Sequence, residues 1–285
     1  MARLGENRYG KSRVRLSRIT RHNDPKEGNR HDFNEWTVRV LLHGAFDGSF
    51  TEADNSCLLP TDTMKNTVYS VARGSKAVTL EEFAMELGNY LLGNNPQVSK
   101  VIVEIDEDSW ERMIVGGAPE ATTFKMNGPE VQTVSATKEQ GGAWTVSSGV
   151  DGLTILKTTK SAFTGYIKDK LTTLKPATDR IFGTRATVKW DYESGTVDFA
   201  AVRARIVAAL MKEFAAHMSM SVQHTLFDMG KAALAAAPEI ERIHLTMPNL
   251  HHLLADLSPF GQDNPNHIFV PIDEPHGYIE ATIER

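Results

Sequence analysis

Two polar turns mark this chain, because the second is a weaker copy of the first. Thr61-Asp62-Thr63-Met64-Lys65-Asn66-Thr67 recurs as Thr178-Asp179-Arg180-Ile181-Phe182-Gly183-Thr184, with the same Thr-Asp start and a threonine six residues on. Further polar residues fall at expected element boundaries in Tyr9-Gly10-Lys11, Val222-Gln223 and Asn249-Leu250-His251. Together they offer hydroxyl, carboxylate, guanidinium, amine, amide and imidazole groups, an inventory for hydrogen bonding and proton transfer. Taken singly, each has a plain structural explanation. Thr-Asp is ordinary turn or helix-cap chemistry. A lone Arg180 is ordinarily a surface or ion-pair residue. Gln223 near a helix start satisfies backbone donors, and Asn249 after Pro248 makes a turn.

Other chemistries lack their patterns. His251-His252, with His244 and the distant His43, fit neither His-Glu-x-x-His nor a cysteine-assisted zinc arrangement, so no metal ligand is expected. There is no glycine-rich phosphate loop, no Gly-x-Ser-x-Gly elbow and no dinucleotide fingerprint; Gly116-Gly117 opens a loop that no helical pattern follows. Cys57 is the only cysteine, which excludes an intramolecular disulfide and fits a reducing compartment. It sits in the acidic turn Asp54-Asn55-Ser56-Cys57 without a cation to stabilise a thiolate, and reads as an incidental thiol. A net charge of −5 over 285 residues gives no footprint for nucleic acid or an anionic membrane. The basic residues Arg13, Arg15, Arg18 and Arg21 read as the solvated face of a strand. No apolar run reaches membrane-spanning length, and Met1 leads into charged residues rather than a signal peptide. The chain closes on Thr282-Ile283-Glu284-Arg285 rather than a Ser-Lys-Leu peroxisomal address, so cytoplasm is the expected compartment.

The elements that must position these residues follow from periodicity. Val14 and Leu16 alternate with arginines, and Trp36, Val38 and Val40 alternate with Thr37 and Arg39, predicting two half-buried strands. Asp47-Gly48 predicts a turn between Leu42 and Phe50, and Thr67–Ala72 reads as a β-rich run ended by Arg73-Gly74. Thr79-Leu80-Glu81-Glu82 is a capping-box signature; Leu80, Phe83, Leu87 and Leu91 follow at helical spacing until Gly93, and Val101–Val103 is the next strand. The second half replays this with a strand at Thr187–Trp190 and an N-cap at Asp198. A stripe of Phe199, Val202, Ile206, Leu210 and Phe214 follows, then a helix from about Ser221 to Ala236 and a strand at Ile243–Leu245. Between the halves lies a Gly-, Thr- and Ser-rich stretch with strands at Val131–Val134 and Trp144–Val146. The expected class is α+β, with antiparallel sheets, helices on one face, and exposed edges that favour oligomerisation.

Taken together, the polar segments resemble the motifs of the urate oxidase (uricase) family. They are joined by Lys170-Leu171-Thr172-Thr173-Leu174, Pro248-Asn249-Leu250-His251-His252, Asp256-Leu257, Pro259–Asn266 and Gly277–Thr282, so the likeness runs through essentially the whole chain in order. The resemblance implies the tunnelling fold: two tandem sheet-plus-helix units, 1–140 and 141–285, in a barrel-shaped homotetramer. It also implies oxidation of urate by dioxygen to 5-hydroxyisourate and hydrogen peroxide, with no metal and no organic cofactor. The family's urate clamp falls on Arg180 and Gln223, the stacking ring on Phe163, and supporting contacts on Leu174 and the backbone of Val222. Thr61 and Asp62 are implied to reach the purine from a neighbouring subunit. Lys11, Thr61 and His251 match the proton relay, and Asn249 the residue holding dioxygen or water above the ring. Pro60, Thr164 and the Phe182-Gly183 pair depart from the family's usual residues; the last bears on local packing rather than chemistry.

Two alternatives remain beside this reading. One is another tunnelling-fold purine or pterin enzyme, which typically anchors its heterocycle with a carboxylate and in several cases uses zinc. The other is a purine-binding protein without catalysis. The Arg180–Gln223 pair weighs against the first, and the intact set of Lys11, Thr61 and His251 against the second.

Overall fold

A computed structural model describes residues 2–22 and 29–285. The chain divides into two units, Met1–Val150 with Asp191–Phe199, and Asp151–Trp190 with Ala200–Arg285. Each is an antiparallel sheet packed with helices, as the α+β pattern predicts.

In the first unit, β1 (Tyr9–Arg21), β2 (His31–Gly44), β3 (Val98–Val115) and β4 (Ala118–Glu139) pair in that order. Trp36, Val38, Val40 and Leu42 of β2 are buried, so its period-two pattern aims one face into the core. Helix α3 (Leu80–Asn94) covers that core. Its capping box is complete: the Glu82 N–H donates to Thr79 Oγ1 at 3.3 Å and the Thr79 N–H to Glu82 Oε2 at 3.2 Å. Phe83 stacks on Trp36 with ring centroids 4.7 Å apart. Gly88 is a close-approach position, where a Cβ would meet Trp144 Cη2 at 2.3 Å.

Three local expectations are corrected here. The stretch Thr67–Ala72 lies in a helix, α2 (Thr61–Gly74), not in a strand. Met64, Val68 and Ala72 are buried at every fourth residue, and that period outweighs the β-propensity of Thr67, Val68 and Tyr69. The Thr67 hydroxyl, which would favour a strand, instead donates to the Thr63 carbonyl one turn back. Asp47-Gly48 opens a short helix, α1 (Asp47–Thr51), rather than a simple turn. Helix α3 runs one residue past Gly93, and the Asn95 side chain satisfies the Leu91 carbonyl at 2.7 Å. The two Thr-Asp turns therefore open different elements: the first starts a helix, and the second leads into strand β6 (Phe182–Tyr192).

Strand β5 (Trp144–Lys157) begins in the first unit and continues into the second. There β6 pairs with β8 (Asn249–Leu254), β8 with β9 (Phe269–Gly277), and β7 (Ile240–Thr246) with β10 (Glu280–Glu284). Helix α4 (Phe199–Ala216) buries the expected stripe of Val202, Ile206, Leu210 and Phe214. Phe182 is buried against Phe214, ring centroids 5.4 Å apart, so the unusual aromatic at this position fills core volume. Lys157 Nζ donates to the Phe214 carbonyl at 3.3 Å and the His217 carbonyl at 2.7 Å, satisfying the end of α4. Helix α5 (Val222–Ala236) lies on β7 and β10, with Gly230 so close to Ile283 that a Cβ would stand 2.6 Å from Ile283 Cδ1.

Candidate functional site

The second unit encloses a cavity of about 340 Å³, and seven of the residues singled out by sequence line it: Phe163, Leu174, Arg180, Val222, Gln223, Asn249 and His251. They come from the segment before β6, from the start of α5 and from β8. The Phe163 and Ala177 backbones exchange hydrogen bonds of 2.8 and 3.0 Å, and the Ala162 N–H bonds to the Ser219 carbonyl at 2.7 Å, which pins the segment carrying Phe163. The intervening loop folds back through Tyr166, whose hydroxyl donates to the Leu174 carbonyl at 2.6 Å and whose ring stacks on Phe163 at 4.9 Å. Arg180 ends that loop just before β6, its guanidinium carbon 5.3 Å from the Phe163 ring centroid.

Arg180 carries the decisive electrostatics. Its Nε is buried with no hydrogen-bond partner, and burial depresses the guanidinium below its ordinary pKa. A buried donor of this kind is costly unless a ligand meets it. Helix α5 adds to the same polarity. Its N-cap is Ser221, whose hydroxyl accepts the His224 N–H at 3.1 Å, so Val222 and Gln223 occupy the first turn. The N–H groups of a first turn have no partner within the helix, and the helix dipole favours negative charge there. A planar anion that accepts from Arg180 and from this turn suits the cavity.

His251 and Asn249 lie on β8. Asn249 is held between Thr184 of β6 and Gly277 of β9, and His251 opposes Ile272 of β9. Burial, followed by the positive charges of Arg180 and His276, pushes His251 below the ordinary imidazole value. It is therefore neutral near pH 7, with one ring nitrogen to accept a proton and one to donate.

The remaining three predicted residues, Lys11, Thr61 and Asp62, belong to the first unit. Lys11 stands on β1 opposite Val40, just before a bulge where Arg13 takes a φ of 57°. Gly10 lets the strand approach this closely, since a Cβ there would stand 1.8 Å from the Val40 carbonyl oxygen. Tyr9 ties β1 to the lead-in of α2: its hydroxyl accepts the Leu59 N–H at 2.7 Å and lies 3.1 Å from the Leu59 carbonyl. Thr61 and Asp62 are exposed on the first turn of α2. Asp62 is held below the usual carboxylate range, first by its hydrogen bond from Lys65 at 2.5 Å and more weakly by the charge of Lys11.

Sequence reasoning missed several cavity residues. His252, Lys175 and Ile279 also line the cavity, although no site role was assigned to them. His252 was legible as the second member of the His251-His252 pair and Ile279 only as part of the Gly277–Thr282 segment; nothing in the pattern around Lys175 marked it. The tie that Tyr9 makes from β1 to the lead-in of α2 was legible only as the start of a strand.

With the geometry set out, the chain can be compared with known proteins. The Uricase family model matches residues 7–137 and 146–280. The uricase of Arthrobacter globiformis is 40% identical over 282 residues, covering 99% of this chain and 90% of that protein. The uricase of Dictyostelium discoideum is 38% identical over 286 residues, covering 100% and 98%. The crystal structure of the Arthrobacter globiformis uricase superposes with a TM-score of 0.93 at 39% identity, over 100% of this chain and 96% of that one.

Proposed function

The chain belongs to the uricase family and is a urate oxidase, and we propose that it oxidises urate with dioxygen alone, using the cavity around Arg180 as its substrate site. The observation that carries this assignment is the buried, unpartnered Arg180 Nε beside the first turn of α5. Urate is a planar anion whose oxygen and nitrogen edge accepts both prongs of a guanidinium, a contact lysine cannot make. Gln223 both donates and accepts, so it reads the opposite edge, and the Val222 N–H adds one more donor. Phe163 stacks on the purine, Leu174 packs beside it, and Asn249 holds dioxygen or water above the ring.

The chemistry balances without a further redox partner. Urate, dioxygen and water give 5-hydroxyisourate and hydrogen peroxide: the purine loses two electrons, dioxygen gains them, and water supplies the new hydroxyl. A urate anion stripped of a further proton is electron-rich enough to reduce dioxygen directly. Lys11 in its neutral form, Thr61 and the neutral His251 are the groups that take and pass that proton. Of the other tunnelling-fold activities, those that anchor a purine or pterin on a carboxylate do not match a cavity with Arg180 and Gln223 at its polar end.

In this reading the chain is two tandem tunnelling-fold units, 1–140 and 141–285, working as a cytoplasmic homotetramer. Each site takes Arg180 and Gln223 from one subunit and Thr61 with Asp62 from its neighbour. Among the described residues no helix is long and apolar enough to cross a membrane. The test is complementation. Variants Arg180→Gln and Thr61→Ala, each nearly inactive, are unfolded and refolded together in equal amounts. Random pairing makes about half of the pairs mixed, and each mixed pair has one intact site, so roughly a quarter of full activity returns under two-fold pairing. If both residues serve from the same chain, mixed oligomers recover nothing beyond the separately refolded variants.

A further inference from the structure

Among the described residues one cluster, apart from the residues assigned to urate, gathers metal-ligating atoms: His217, His224 and Asp228 place one donor atom each within 4.8 Å of the others. The fold explains the convergence. His224 and Asp228 are one turn apart on α5 and share a face. His217 directly follows α4, and its N–H still bonds to the Glu213 carbonyl at 2.9 Å, so the ring leaves from a fixed helix end. The two imidazoles lie with ring centroids 4.5 Å apart.

Distances decide what the cluster is built for. Asp228 Oδ2 stands 3.3 Å from His217 Nδ1 and 3.3 Å from His224 Nε2. A charge-assisted hydrogen bond between imidazolium and carboxylate closes to about 2.7–2.9 Å. Ligands at about 2.0–2.1 Å from a tetrahedral ion stand about 3.3 Å apart, which matches the two Asp228–histidine separations. The other carboxylate oxygen, Oδ1, faces Lys231 Nζ at 3.8 Å, and Glu213 Oε1 lies 3.7 Å from the same His217 Nδ1. The His217 side chain is 9% exposed, and its Nε2 is buried with no hydrogen-bond partner. His224, at 47% exposure, opens the cluster to solvent.

We propose that His217, His224 and Asp228 form a site for one divalent ion of borderline softness, Zn²⁺ or its neighbours Co²⁺ and Ni²⁺, with a fourth position left to water. Two imidazoles and a carboxylate suit such an ion rather than Mg²⁺ or Ca²⁺, which take oxygen ligands. The ion ties the end of α4 to the first turn of α5 and so stabilises the second unit. It takes none of the residues assigned to urate, so its test stands apart from the oxidation.

Full-length protein stripped with chelator is titrated with Zn²⁺ by calorimetry and with Co²⁺ by visible absorption. The expected result is one ion per chain, the intense bands of four-coordinate Co²⁺, and a Zn²⁺-dependent rise in Tm. His224→Ala removes an exposed side chain and keeps the fold; Asp228→Asn removes the bridging charge. Each weakens Zn²⁺ binding at least about tenfold and cancels the Tm rise, whereas His267→Ala, elsewhere on the surface, changes neither. Absence of saturable binding overturns the proposal. Equal affinity in the parent protein and His224→Ala also overturns it, because the ion then sits on other residues.

Discussion

Replacing Arg180 by glutamine should weaken urate binding and, at the same time, leave the free protein as stable or more stable. The two effects have separate origins. In the free protein the Arg180 Nε is a buried donor without a partner, and such a group costs about 1–3 kcal/mol. Glutamine removes the charge and that donor, so the free protein is relieved of the penalty. For a chain of this size each kcal/mol regained raises Tm by about 2–4 °C. In the proposed urate complex the guanidinium would make two charge-assisted hydrogen bonds at about 1.5–3 kcal/mol each. The lower figures sum to about 3 kcal/mol, or a loss of roughly 100- to 200-fold in affinity. Equilibrium titration with urate under anaerobic conditions reads binding without turnover, and scanning calorimetry reads Tm. Unchanged urate affinity in Arg180→Gln refutes the clamp. A large fall in Tm refutes the claim that the free protein holds this arginine at a cost.

Three other substitutions or titrations probe the remaining parts. Lys11→Met should lower kcat and reshape the pH–rate profile while anaerobic urate affinity stays within a few-fold; unchanged turnover and pH dependence would remove Lys11 from the relay. The His251 imidazole should titrate below 6.5 by NMR, because burial and then the charges of Arg180 and His276 favour its neutral form. With the folded value below the unfolded one, the unfolded chain binds more protons between the two. The stability tied to His251 is then complete above about 6.5 and lost as pH falls through the folded value. Arg180→Gln should move the midpoint upward, and a midpoint at or above 6.5 in the parent protein contradicts the assignment. Gly10→Ala should cost several kcal/mol or shift the register of β1, since its Cβ would stand 1.8 Å from the Val40 carbonyl oxygen. A melting temperature unchanged by that substitution, read by calorimetry, contradicts the close approach.

How far the sequence spoke for the fold varied from element to element, for physical reasons. Helix α3 was readable to within two residues because its cap, its stripe and its stop all act locally: Thr79 and Glu82 bond each other, and Leu80, Phe83, Leu87 and Leu91 are all buried. Helix α5 was equally plain, with Ser221 at its start and Pro238 just beyond its end. Helix α2 was misread because Thr67, Val68 and Tyr69 favour strands locally, whereas its helical state comes from burying Met64, Val68 and Ala72 together. The site divides in the same way. Arg180, Gln223, Asn249 and His251 sit on short motifs that stand out through the family resemblance, since each alone has a plain structural explanation. Lys175 reaches the cavity through the folded-back loop, a contact with no local sequence mark. The His217–His224–Asp228 cluster has no local sequence mark, because its third member comes from the segment that follows α4 rather than from α5.

The most direct test of the central claim is to mix chelator-treated protein with urate in air and follow urate absorbance, oxygen and peroxide together. The account predicts that urate and oxygen disappear in equal amounts, that peroxide appears one for one, and that the rate is the same with and without chelator. Activity that vanishes on chelation and returns with added metal would contradict it.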